Sequence, residues 1–202
     1  MSSRKIDGYF LPIALAIYLA FWIALAIHPL DRGDWLLENL LIFVTAAVLI
    51  PTSRRFRFSN VSYALILIFL VFHTIGAHYT YAKVPIGFWA RDWLNLERNH
   101  YDRVIHFSFG FLLLYPTREL LIRSARARRW ATWLGVAVLC ALSSFFEIVE
   151  GVVAQIVAPD LGTAYLGTQG DIWDAQKDMA LAFVGALLAA LLLLPLKSRA
   201  RY

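Results

Sequence analysis

Six ionisable residues, Asp102, His106, Glu147, Glu150, Asp174 and Asp178, fall within or at the lip of stretches that are otherwise apolar. A charge at the centre of a bilayer-spanning helix costs roughly 2.5–3.5 kcal/mol even on the lenient insertion scale. Several such groups in one chain must therefore be turned together, onto a partner, a metal ion or a watery pocket. Imidazole and carboxylate are ligands for zinc or manganese without any thiolate. A divalent metal held by them brings its bound water into ionisation near neutral pH, and a spare carboxylate then serves as general base. On this reading His106, Asp102 and Asp178 are candidate metal ligands, with His78 or His100 completing the set. Glu147, Glu150 and Asp174 are the candidate catalytic acids and bases. Two other readings fit the same residue types: a proton or cation path in a transporter, and a structural network that pins the bundle.

No metal-binding string settles the choice. There is no H-E-x-x-H, and Glu147-Ile148-Val149-Glu150 is E-x-x-E where di-iron bundles carry E-x-x-H. Cys140 is the sole cysteine and lies in an apolar stretch, so an intrachain thiolate centre and an internal disulfide are excluded and a core role is expected.

The elements that must position these groups are transmembrane helices. Of 202 residues, 60% are hydrophobic and 16% are charged, against about 25% charged in a soluble domain. The apolar residues come in blocks of about 20, the length that crosses a hydrocarbon core. Period-2 alternation, the mark of a membrane β-barrel, is absent. The expected fold is a single all-α membrane domain of six transmembrane helices in one bundle, over about 9–29, 35–51, 61–81, 102–122, 130–157 and 174–195. The stretch after Arg4 and Lys5 is longer than a cleavable signal h-region and reads as a retained first helix.

Basic residues set the orientation. Arg4 and Lys5, then Arg54, Arg55 and Arg57, then Arg123, Arg126, Arg128 and Arg129, then Lys197, Arg199 and Arg201 all share one side of a six-helix chain. The opposite loops carry Asp31, Asp34, Asp92, Glu97, Asp160 and Asp171. Both termini are therefore expected in the cytoplasm. The net charge of +5 orients the protein in its bilayer and does not imply nucleic acid as a partner.

Helical periodicity brings the candidate groups together. Asp102 and His106 are four apart and sit one above the other. Glu147 and Glu150 lie on one stripe with Ser143 and Ala154. Asp171, Asp174 and Asp178 continue into Ala182, Gly185 and Ala189, a face of small residues that lets helices approach closely. At about 1.5 Å per residue, Glu147, Glu150, His106, Asp178 and His78 all come out within one outer layer of their spans. Thr74, His78 and Tyr81 share a face of the third helix, whereas His73 points about 140° away from His78.

Two outer loops border that layer. In 83–101, Trp89 and Trp93 are four apart, so a short helix after Pro85 puts both rings on one face, as an interfacial segment requires. They are read as an aromatic anchor or a substrate-guiding lip. In the second, 159–173, Gly162, Gly167 and Gly170 allow tight turns, and the loop offers an anion-binding nest of backbone N–H groups. Trp89, Trp93, Gly167, Gln169 and Asp171 make up the candidate substrate lip.

The chain resembles the YjdF-like inner-membrane proteins of bacteria. The resemblance is carried by Glu97-Arg98-Asn99-His100-Tyr101-Asp102-Arg103 leading to His106-Phe107, by Phe146-Glu147 to Glu150, and by Leu166-Gly167-Thr168-Gln169-Gly170-Asp171-Ile172-Trp173-Asp174 with Asp178-Met179 after it. It runs from about the second helix to the sixth, departing at Lys177, where a more hydrophobic or aromatic residue is expected. A looser similarity reaches the VanZ-like membrane proteins, whose skeleton of Asp, His-Phe, Glu and late Asp residues matches Asp102, His106-Phe107, Glu147 or Glu150, and Asp174 with Asp178. These resemblances imply a bacterial inner-membrane protein with an envelope role facing the periplasm. The expected activity is metal-assisted or acid–base chemistry on a lipid or lipid-linked substrate. Transport is disfavoured because the inner halves of the fifth and sixth helices, 131–141 and 181–194, carry no charged residue.

Overall fold

The computed structural model describes residues 3–194. Lys197, Arg199 and Arg201, used above for orientation, lie outside the described residues. Eight helices follow in order: α1 Ser3–Ala26, α2 Arg32–Thr52, α3 Asn60–Tyr79, α4 Pro85–Leu94, α5 Tyr101–Ser124, α6 Ala131–Ile156, α7 Pro159–Leu166 and α8 Asp174–Leu193. No strand occurs among the described residues. Six are long and match the expected segments to within a few residues, except that α1 begins six residues earlier than expected. The short α4 follows Pro85, whose ring presets the first helical turn.

Five of the long helices, α1, α2, α3, α6 and α8, are long and apolar enough to cross a membrane. The sixth, α5, has the length, 24 residues, but carries Asp102, Arg103, His106, Arg118, Glu119 and Arg123. It packs against α3, α6 and α8. A helix enclosed by its neighbours need not present an apolar face to lipid.

The α5–α8 contact is the axis of the molecule. A Cβ at Gly110 would strike the Ala182 carbonyl oxygen and one at Gly185 would strike that of Phe107, so the two backbones touch directly. Ala182, Ala186 and Ala190 are fully or almost fully buried along this seam. With no side chains between them, the helices hold the α5 and α8 acids within reach of one another. Below the acids the seam closes on Leu114, Val136, Leu139, Ala186, Ala189, Ala190 and Leu193.

Caps fix the helix entries. Asp31 accepts from the Asp34 backbone N–H at 2.9 Å and starts α2. Ser59 caps α3 and is itself held by Glu119 of α5, which accepts from the Ser59 N–H at 2.9 Å and the Ser62 hydroxyl at 2.5 Å, with Arg123 one turn on at 2.5 Å. Arg118 and Glu119 thus belong to the basic end of the bundle.

The 159–173 segment differs from its reading as a loop. Pro159 at the first position starts α7, with Asp160 in its first turn. Gly162 serves no turn: it lets α7 lie against α6, where a Cβ would meet the Ala154 carbonyl. The turns come later, at Gly167 (φ 59°), Gln169 (φ 48°) and Gly170 (φ 86°).

Candidate functional site

Three polar groupings share the acidic end of the bundle. The innermost is His106, one turn into α5. Its Nε2 lies 3.5 Å from Asp102 Oδ1 on the same helix, and its Nδ1 lies 3.5 Å from Glu147 Oε1 on α6. Asp178 of α8 completes the group: one ligand atom each from Asp102, His106 and Asp178 all fall within 4.8 Å of one another. The contributing helices are those joined by the glycine seam. Asp178 is 2% exposed. Its Oδ1, Glu147 Oε1 and the neighbouring Ser143 hydroxyl are buried without a hydrogen-bond partner. Buried polar atoms are normally paired, and a 3.5 Å separation is too long for a good hydrogen bond. Glu150 lies within electrostatic reach of Asp102, Glu147 and Asp178, and the Phe146 ring stands 6.1 Å from the imidazole.

Asp102, His106 and Asp178 could hold a metal ion. A tetrahedral ion with bonds of about 2.1 Å has ligand–ligand edges of about 3.4 Å, close to the His106–Asp102 separation. His106 Nδ1 would then face Glu147, the carboxylate–histidine pairing that fixes a ligating ring.

The second grouping lies one turn further out and holds Asp174. Arg98 donates to Asp174 at 2.5 Å and to the carbonyls of Thr168 and Gly167 at 2.8 and 3.3 Å. Arg103 reaches Asp174 at 3.2 Å and also pairs with Asp171. Lys177 donates to Asp171 at 2.6 Å. Asp174 is thereby paired with two guanidinium groups. Asp171, outside the spans, has its pKa held down at about 2, chiefly by the Lys177 hydrogen bond, then by the Trp173 backbone N–H and Arg103.

Gln169 exchanges both amide bonds with the Asn99 backbone, at 3.1 and 2.8 Å. The Asn99 side chain in turn donates to the Val84 carbonyl at 2.9 Å, fastening the start of α4. Where an anion nest was expected, the loop turns its Gly167 and Thr168 carbonyls toward Arg98. A cleft of about 580 Å³ opens here, lined by Glu97, Arg98, His100, Arg103, Asp171 and Lys177 among others. Beside it, Trp89 and Trp93 are both largely exposed on α4.

Two histidines take other places. His78 Nδ1–H donates to the Leu25 carbonyl at 2.7 Å, toward α1, and Thr74 on the same face meets the Tyr18 hydroxyl at 3.2 Å. His100 caps α5 from the cleft wall, its Nδ1 3.2 Å from Arg103, with its pKa lowered by burial and then by Arg103 and Arg98. Neither joins the Asp102–His106–Asp178 group. Tyr81 also leaves the face expected for it. The chain reverses at Thr80 (φ 55°) and Tyr81 (φ 44°), so its ring folds over Gly76.

The third grouping escaped the sequence analysis. Asp34 and Glu38 of α2 are 0% and 4% exposed. His73, 1% exposed, donates from Nε2 to the Glu38 carbonyl at 3.0 Å and accepts at Nδ1 from the Tyr81 hydroxyl. The i, i+4 spacing of Asp34 and Glu38 at the head of an apolar span was a usable signal. Nothing in the sequence foretold Tyr81, because its position depends on a chain reversal.

The fold and these buried ionisable groups define a multi-pass α-helical membrane protein with buried polar groups gathered at one end. The chain belongs to the family described as "Predicted membrane protein (DUF2238)", whose model matches residues 10–199. It is 36% identical over 165 residues to the inner membrane protein YjdF of Escherichia coli (strain K12), covering 81% of this chain and 78% of that protein. With its apolar helices, this makes the chain a multi-pass inner-membrane protein. No solved structure matches it.

Proposed function

We propose that this is a membrane-embedded enzyme whose centre is a divalent cation, zinc or manganese, held by Asp102, His106 and Asp178 in the periplasmic half of a single bundle of six spans. The cluster of three ligand atoms within 4.8 Å, with two buried carboxylate oxygens beside or in it left unpartnered, is the observation that carries the reading. Both termini lie in the cytoplasm in this arrangement, because the basic loops gather at the opposite end from the site. Three protein ligands leave a coordination position open, as in catalytic rather than structural metal sites.

The residues then divide by position. Asp102, His106 and Asp178 bind; Glu147 orients His106 through Nδ1. Glu150, half-buried beside them, takes and returns the proton. Asp174 positions the outer lip through Arg98 and Arg103. A bound divalent cation supplies Lewis-acid polarisation of an oxygen substrate. The substrate is a lipid or lipid-linked envelope compound, entering past Trp89 and Trp93 from the outer leaflet. Conduction is disfavoured by packing: beneath the site, Leu114 and Leu139 are 0% and 2% exposed, a closed apolar layer.

The test is metal analysis of protein purified without chelators, wild type beside His106→Ala and Asp178→Asn, each checked for monodispersity. The expected result is divalent metal in the wild type and one ion fewer per chain in each variant. Wild-type protein free of divalent metal, including after incubation with zinc or manganese, refutes the proposal.

A further inference from the structure

We infer that the cleft between the start of α5 and the 167–173 turn is a subsite for a phosphate group, the headgroup phosphate of an outer-leaflet lipid. The assignment rests on the reading above for the lipid substrate and deepens it by naming the headgroup chemistry; it makes no use of the metal.

Three cationic heads converge on one oxygen in this cleft. Asp171 Oδ2 lies 2.6 Å from Lys177 Nζ and 3.8 Å from Arg98 Nη1, and Arg103 Nη2 pairs with it as well. The second carboxylate of the cluster is Asp174, which Arg98 and Arg103 share at 2.5 and 3.2 Å. Three cations thus answer two carboxylates, and their donors are not used up. The Nε atoms of Arg98 and Arg103 are both buried without a hydrogen-bond partner. Lys177 donates to Asp171, and its side chain is 48% exposed. Arg103 Nη1 lies 3.2 Å from His100 Nδ1. A guanidinium only donates, so that ring nitrogen accepts and the His100 proton sits on Nε2, which has no partner among the described residues. Glu97, the remaining acid on the lining, is exposed to solvent, where its charge is screened. A negative group with several acceptor oxygens meets this surplus of donors. Phosphate is such a group, and its oxygens match the guanidinium fork.

The space suits a headgroup. Arg98, His100, Arg103 and Lys177 all line the cleft of about 580 Å³, a volume typical of small-ligand sites and far larger than a bare phosphate needs. Its borders are apolar. Leu96 is on the lining, and Trp93, Ile172 and Trp173, close to lining residues in the chain, are 85%, 85% and 60% exposed. Exposed tryptophans beside a polar cleft belong at the membrane–water interface, which favours a lipid headgroup over a free ion. Arg103 and His106 are three apart on α5, and Asp174 and Asp178 are four apart on α8. The subsite therefore lies about one helical turn outside the His106 group.

Calorimetric titration of the full-length protein in maltoside micelles tests this with three probes: dioctanoyl phosphatidic acid, dioctanoylglycerol, which lacks the phosphate, and inorganic phosphate. The wild type is expected to bind the phosphatidic acid saturably and the dioctanoylglycerol not at all, with inorganic phosphate a weaker competitor. Lys177→Gln, at a half-exposed side chain, should weaken phosphatidic acid binding about tenfold, the loss of one charge-assisted hydrogen bond. Asp171→Asn removes the carboxylate that competes for Lys177 and Arg103 and should tighten binding severalfold. Asp92→Asn makes the same charge change on an exposed side chain outside the cleft and should leave it unchanged. Equal binding of the two dioctanoyl probes, or none of the phosphatidic acid, overturns the subsite; this arm needs no variant to fold. Unchanged affinity in Lys177→Gln and Asp171→Asn, or equal effects of Asp171→Asn and Asp92→Asn, overturns its assignment to this cleft. Inorganic phosphate bound as tightly as phosphatidic acid overturns the lipid source. Metal content measured on the same samples separates the two readings. Metal present without phosphatidic acid binding overturns the subsite and leaves the cation centre standing, whereas phosphatidic acid binding by protein that takes up no metal refutes the cation centre and keeps the subsite.

Discussion

Arg98→Met isolates the clamp that holds the outer lip. Arg98 and Asp174 are 10% and 5% exposed at their side chains and 2.5 Å apart. Removing one member of a buried ion pair leaves the other charge uncompensated, a loss of about 3–5 kcal/mol. Here Arg103 still lies 3.2 Å from the same Asp174 oxygen, which keeps part of the compensation. Against that, the Gly167 and Thr168 carbonyls lose a charged donor, each such bond contributing roughly 1.5–3 kcal/mol when buried. Water can reach these carbonyls from the cleft, so their loss adds only partly. The expected destabilisation is about 3 kcal/mol by these two magnitudes. Asp174→Asn alone, which keeps an acceptor for Arg98, is expected to cost about half as much. The double variant should fall short of the sum of the singles by more than about 1 kcal/mol, the sign of direct coupling. The assay is reversible unfolding in mixed micelles, with hydrogen exchange over residues 167–173 to localise the change. An Arg98→Met protein within about 0.5 kcal/mol of wild type, or strictly additive variants, would refute the claim that this pair fastens the lip.

Gly110→Ala drives a methyl into the Ala182 carbonyl. Backbone cannot yield as a side chain can, so a loss of about 1–3 kcal/mol is expected, together with weaker metal retention as α5 and α8 part. Gly151→Ala, which meets nothing within 4 Å, should be neutral or slightly stabilising in the same thermal-unfolding comparison. Glu147→Gln removes the carboxylate facing His106 Nδ1 and should weaken divalent-metal affinity about 10- to 100-fold without abolishing it, as read by calorimetric titration. The Asp171 pKa is depressed to about 2, so its ionised form is favoured by folding. Its contribution is fully present above the ordinary aspartate range near pH 4 and is lost as pH falls through about 2. Trp173 fluorescence and hydrogen exchange should report the 167–173 turn loosening over that interval, and Asp171→Asn should abolish the pH dependence there.

The long helices were legible because each depends on local quantities. Apolar blocks of spanning length act locally, as does Pro85 at the start of the short α4. The α7 helix was not legible: eight residues containing Gly162 carry little propensity, and it is the α6 backbone at Ala154 that holds them. The His106 group was half legible. Asp102 and His106 follow from i, i+4 spacing, and Asp178 from the small-residue face beneath it. His78 was misjudged because depth along a helix axis says nothing of which neighbour occupies that face, and α1 occupies it.

What the sequence by itself determined is therefore the solvent of this protein, the length of its spans and the shared depth of its ionisable groups, all of which follow from composition and the rise of a helix. Only the tertiary structure decided which of those groups meet. Gly110 and Gly185 bring α5 and α8 into backbone contact and join Asp178 to His106. Arg98 and Arg103 pair with Asp174, and α2 buries Asp34 and Glu38, whose carbonyl meets His73. Each of these outcomes is a pairing between residues far apart in the chain. Helical periodicity fixes the direction of a side chain only relative to its own axis, whereas such pairings depend on how one axis is placed against another.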